Sequence, residues 1–119
     1  MARLNLHDMI ADALMLRAGN RFGITQLTLG GTLTMSGPMN NVLAIDPGGA
    51  ARKVLLHASP KRGDFYILIN TADAAEVITV QNSAGVGLTP ACTPTQNEVA
   101  IIVYVDATLG WRSCVALGA

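Results

Sequence analysis

The stretch from Asp64 to Val80, Asp-Phe-Tyr-Ile-Leu-Ile-Asn-Thr-Ala-Asp-Ala-Ala-Glu-Val-Ile-Thr-Val, most restricts what this chain can fold into. Side chains alternate along a strand, so Phe65, Ile67 and Ile69 share one face while Tyr66 and Leu68 share the other. Both faces are apolar, the pattern of a strand covered on both sides. Asn70-Thr71-Ala72-Asp73 offers short polar side chains that favour a turn. Glu76 to Val80 returns with β-branched residues, which suit a pleated surface. The stretch is expected to be a central hairpin on which the other segments pair or pack.

The rest of the chain from Ile24 onward reads the same way. Ile24–Leu29 alternates with period 2, and Gly30-Gly31 can form a two-residue hairpin turn or a bulge. Thr32–Ser36 continues the pattern until Gly37-Pro38 ends it. Val42–Asp46 is stopped by Pro47-Gly48-Gly49, and a short strand is expected at Lys53–His57. Two glycines and two prolines make residues 81–97 loop-like, with room for a strand at Val86–Thr89. Glu98–Val105 carries the strongest strand pattern. Asp106–Gly110 then turns into a last strand at Trp111–Leu117. Short strands divided by glycine and proline turns predict an all-β fold, a compact sandwich or barrel-like domain.

Before Phe22 the period is 3.6 instead of 2. Leu6, Met9, Ile10, Ala13, Leu14 and Arg17 recur at three- and four-residue steps and predict one short N-terminal helix over Asn5–Ala18. Asn5 can cap its first turn, Asp8 suits its positive end and Gly19 can close it. The period change divides the chain into an N-terminal helix or arm, residues 1–23, and a β domain, residues 24–119. A lone helix this short is marginal in water. Its stripe therefore needs the β domain, a sister subunit or a foreign surface. Leu6, Met9, Ile10, Leu14 and Arg17 are the candidate interface residues, and methionines pack adaptably at contacts. Before binding, such a segment can be partly disordered and fold on its partner.

Half of the 119 residues are hydrophobic and only 13% are charged, against a usual charged share of about 25%. Apolar surface must therefore be hidden beyond an ordinary core. The longest apolar run, Val99–Val105, falls far short of the ~18 residues that span a bilayer. Self-association is expected rather than membrane insertion, because exposed apolar patches mark contacts. Eight basic and eight acidic side chains leave no formal net charge, which removes the electrostatic basis for nucleic-acid binding. Asp8 and Asp12 interrupt what would be the apolar part of a secretory signal, so synthesis in a cytoplasm is expected.

The sequence offers little for catalysis, and no enzyme activity, cofactor or metal is expected. His7 and His57 stand in different elements without a local motif and are expected at a surface or interface. Cys92 and Cys114 fit no metal spacing. Two buried reduced thiols are expected, and a disulfide stays open. Asp46, Asp64, Asp73 and Asp106 sit at strand ends, where aspartate satisfies local backbone donors. Gly85-Val86-Gly87 and Gly48-Gly49 lack the lysine and helix start of a phosphate loop. Trp111 opens an apolar strand and is expected in the core, although beside Arg112 it could stack on a sugar.

Several stretches resemble a known family when taken in order. Asp46-Pro47-Gly48-Gly49-Ala50-Ala51-Arg52-Lys53-Val54-Leu55-Leu56 leads to Gly63–Ala72 and Glu76–Val80. Pro94-Thr95-Gln96-Asn97-Glu98-Val99-Ala100 then runs to Gly110-Trp111-Arg112. This order resembles the head decoration (cement) proteins of tailed bacteriophages over about residues 27–119, and the expected helix lies outside it. The resemblance implies a structural virion protein, made in the host cytoplasm. As a homotrimer it would bind the major capsid protein on the outer surface of the expanded capsid and hold neighbouring subunits together. Related β modules resemble parts of tail fibres and spikes. The alternative is therefore a trimeric fibre or spike module that binds a host glycan, with Trp111, Tyr66 and Tyr104 as stacking faces.

Overall fold

The computed structural model describes residues 21–116. Nine strands follow one another there: β1 (Ile24–Thr28), β2 (Leu33–Thr34), β3 (Val42–Asp46), β4 (Arg52–Leu55), β5 (Phe65–Asn70), β6 (Ile78–Gln81), β7 (Gly87–Cys92), β8 (Val99–Tyr104) and β9 (Trp111–Ala116). They form a five-stranded sheet in the order β1-β3-β5-β8-β9 and a four-stranded sheet in the order β2-β4-β6-β7. The all-β expectation holds. The expected helix Asn5–Ala18, with Leu6, Met9, Ile10, Leu14 and Arg17, lies outside the described residues, and the domain boundary at residue 23 falls near their edge.

The first six strands alternate between the two sheets. β1, β3 and β5 pair in parallel in one, and β2, β4 and β6 pair in parallel in the other. A parallel connection needs a crossover, which is most often a helix. Here each crossover is a strand of the facing sheet, so parallel pairing arises without helices. The chain winds as three stacked coils and then closes with antiparallel partners, β7 on β6 and β8 with β9 on β5.

This winding corrects two expectations. Asp64–Val80 is not a hairpin, because β5 and β6 belong to different sheets. Gly30-Gly31 likewise links strands of different sheets. The physical reason lies in Asn70, whose side chain is wholly buried. Its amide donates to the Glu76 carbonyl at 2.8 Å and the Pro94 carbonyl at 3.0 Å, and its Oδ1 accepts from the Ala72 amide at 2.9 Å. These bonds hold a wide crossing across the core rather than a tight reversal. Gly48 fixes an earlier crossing. Its φ of +77° favours glycine, and a Cβ there would overlap the Leu29 carbonyl oxygen.

The core lies between the sheets. Leu43, Ile45, Tyr66, Leu68, Ala100, Ile102 and Trp111 come from the inner face of the five-stranded sheet, and Val54, Ile78, Val80, Leu88 and Cys92 from the four-stranded one. The β7 and β9 edges meet, where the Ser113 hydroxyl donates to the Pro90 carbonyl at 2.8 Å. Predicted strand limits are met at Val42–Asp46 and nearly so at β8 and β9, while Thr32–Ser36 shrinks to Leu33–Thr34.

Candidate functional site

The outer face of the five-stranded sheet is the unusual surface of this molecule. Register places Ile24, Val42, Ile67, Ile101 and Cys114 in one row across all five strands. A second row holds Gln26, Ala44, Ile69 and Val99, and a third holds Phe65 and Val103 before reaching Arg112. The centre of the face is therefore aliphatic, and Asp46 and Arg112 put charge only at its margin.

Among the described residues no strand covers this face, and the Phe22 ring meets it edge-on at Phe65. Ile24 is 59% exposed and Ile101 43%, while Val42, Phe65, Ile67, Ile69, Val99 and Val103 are half-buried. An ordinary antiparallel sheet with one wet face carries polar residues there. The sequence expectation that β5 is covered on both sides is thus met within the described residues on its inner face alone. The signal for the surface was present in the doubly apolar β5 and in Val99-Ala100-Ile101-Ile102-Val103, but strand order was needed to align the two.

A second cluster lies at one end of the core. His57 is buried within its own chain, which corrects the expected surface or interface position, and His7 lies outside the described residues. Its Nε2 lies 3.2 Å from Asp64 Oδ2, and its Nδ1 lies 3.0 Å from the Tyr66 hydroxyl. The Tyr66 oxygen also accepts from the Met39 amide at 3.3 Å. A neutral imidazole that donates from Nε2 and accepts at Nδ1 satisfies every one of these contacts. Asp64 is held below the usual carboxylate range, first by the Lys61 amide that donates to it and then by His57. The spacing of His57 and Asp64 gave no motif because the two sit in a turn and at a strand start that only the fold brings together.

The aromatic rings pack on this cluster. Trp111 is 6% exposed and meets Tyr104 at 5.3 Å, His57 at 5.5 Å and Tyr66 at 6.0 Å between ring centroids. Trp111 is thus in the core as expected. The faces of Trp111 and Tyr66 are occupied inside the protein and are not free for sugar stacking. A shallow cavity of about 280 Å³ opens beside them, lined in part by His57, Asn82, Leu88, Tyr104 and Arg112.

Asp46, Asp64 and Asp106 behave as turn acceptors. Asp46 Oδ1 accepts from the Gly48 amide, and Asp106 Oδ1 from the Thr108 and Leu109 amides. Asp73 is exposed in the β5–β6 crossing. Both cysteines are free thiols; Cys92 is buried, whereas Cys114 is exposed on the outer row instead of buried as expected. Burial pushes the Cys92 thiol up to about 11. Among the described residues no group of three His, Cys, Asp or Glu side chains comes together to hold a metal ion.

No protein-family model matches the chain, and no curated protein matches it in sequence.

Proposed function

We propose that this chain is a structural virion protein that binds the outside of an expanded tailed-phage capsid as a homotrimer and stabilises it. The observation that carries this is the apolar row Ile24–Val42–Ile67–Ile101–Cys114. Burying aliphatic surface favours association by roughly 25 cal/mol per Å², and a solitary soluble domain rarely leaves such a surface wet. The low charge of the chain points the same way. The cement-protein resemblance supplies the setting. A head filled with genome is under outward load, and a protein that bridges capsid subunits stabilises the assembled state by binding it selectively. No catalysis, cofactor, nucleic acid or membrane enters this role.

Mixing the purified protein with expanded, undecorated capsids tests it. Stoichiometric binding and a raised capsid melting temperature are expected, with a trimer mass for the free protein in light scattering. A monomer near 12.4 kDa would defeat the self-association. Binding to cells or polysaccharide instead of capsids would assign the protein to the glycan-binding class.

A further inference from the structure

We propose that residues 5–18 form a helix laid across the β1–β5 half of the outer face of their own five-stranded sheet. The first observation is where the described chain begins. Phe22 is on the same side of the chain as Ile24, and its ring meets Phe65 edge-on at 5.6 Å. Phe65 belongs to β5, two strands away from β1 in the sheet. At Phe22 the side chain therefore already reaches over the outer face, while the Gly23 carbonyl beside it still accepts from the Val42 amide at 3.3 Å in the plane of the sheet. Phe22 is still 45% exposed, so the contact with Phe65 leaves much of its ring for a further neighbour.

The second observation is reach. Only Gly19, Asn20 and Arg21 separate the expected helix from Phe22, and links of 2–6 residues are usual between packed helices and strands. A link this short favours the same chain over a second copy. A helix over residues 5–18 is ~21 Å long, the length of a six-residue strand at ~3.3 Å per residue. The third observation is composition. Leu6, Met9, Ile10, Ala13 and Leu14 form the expected stripe, and Val42, Phe65, Ile67 and Ile69 form the surface it would meet. Five strands at ~4.8 Å spacing make the sheet ~19 Å wide, whereas a helix with its side chains covers ~10 Å. Ile101, Val103 and Cys114 on β8 and β9 are then left for a neighbouring copy, a consequence that rests on the self-association proposed above.

Hydrogen exchange read by mass spectrometry on the full-length protein decides the matter. Amides of residues 5–18 are expected to exchange about tenfold or more slowly than in the same free peptide, at every protein concentration. Ile67→Asp should abolish that protection, whereas Ile101→Asp should preserve it and lower the oligomer mass. Unchanged Trp111 emission shows that each variant has kept its β domain. Met9→Asp, placed on the segment itself, should also abolish protection without altering the sheet. Free-peptide exchange in the wild type would overturn the inference, as would protection that survives both Ile67→Asp and Met9→Asp. Protection that disappears on dilution would overturn it in favour of a second copy as the occupant. A monomeric protein with residues 5–18 protected would overturn the assembly role and leave this inference standing.

Discussion

The two faces of the five-stranded sheet are built from the same residue types and end in different circumstances. On the inner face Leu43, Leu68, Ala100 and Ile102 are wholly buried. On the outer face Val42, Ile67, Ile101 and Val103 occupy alternate positions of the same strands and stay partly exposed. Alternation assigns residues to faces, but it cannot say which face has a cover. What distinguishes the inner face is its polar punctuation. Asn70, Ser113 and the Asp64–His57–Tyr66 chain are each hydrogen-bonded there. An inside of this kind specifies one register, since a slipped strand would orphan these groups. The outer rows carry no such groups at their centre, so they suit contact with a separately folded surface.

Truncating the inner face should produce the largest effect. Trp111→Ala removes a ring packed on His57, Tyr66 and Tyr104 and is expected to cost about 3–5 kcal/mol. Leu68→Ala should fall at about 2–5 kcal/mol. Ile101→Ala on the outer face should change the stability of the dissociated protein by about 0.5 kcal/mol or less. Chemical denaturation of the three variants at low protein concentration measures the contrast. Equal losses for Leu68→Ala and Ile101→Ala would show that the outer face is as thoroughly packed as the inner one.

Asn70→Ala comes next. It leaves the Glu76 and Pro94 carbonyls and the Ala72 amide without their side-chain partner, and one unsatisfied buried group costs about 1–3 kcal/mol. A melt that drops by less than the experimental error would mean that water replaces the amide, and that the β5–β6 crossing does not depend on it.

Much of this was legible in the sequence. The β period from Ile24, the Asp106–Gly110 turn, the burial of Trp111 and the turn role of Asp46 all follow from local chemistry. The hairpin at Asp64–Val80 was misread for a physical reason. Two strands joined by polar residues look alike whether they pair with each other or face each other across a core, and the difference lies in Asn70, whose partners include Pro94. The burial of His57 was hidden for the same reason, because its partner Tyr66 comes from a strand rather than from its own turn.

A smaller effect is expected from acid. The Asp64 carboxyl is held below its ordinary value of 3.8, chiefly by the Lys61 amide. A carboxylate with a lowered folded-state pKa contributes stability that is present above the unfolded value and lost as pH falls through the folded one. Stability should therefore decline below about pH 4 in the wild type. Asp64→Asn should flatten that part of the profile, as read from thermal melts between pH 2 and pH 7. An identical acid limb in Asp64→Asn would assign the decline to other carboxylates.

The mildest probe of the two faces uses the cysteines. Cys92 lies in the core with its thiol pushed up to about 11 by burial, whereas Cys114 is exposed on the outer row. The thiolate is the reactive species, so at pH 8 a water-soluble maleimide should label Cys114 and spare Cys92 until denaturant is added. Position, more than acidity, then makes Cys114 informative. It pairs with Ile101 at the β9 end of the apolar row, on the half of the face that the N-terminal segment would leave open. Copies associating through that half should shield the sulfur, and labelling should slow as the protein concentration rises through the association range. Ile101→Asp should restore the dilute rate without exposing Cys92. Labelling that stays fast at every concentration would place the contact between copies elsewhere on the molecule. Labelling that is slow even in dilute solution would mean that the segment preceding Phe22 reaches across the whole sheet and closes the outer face within a single chain.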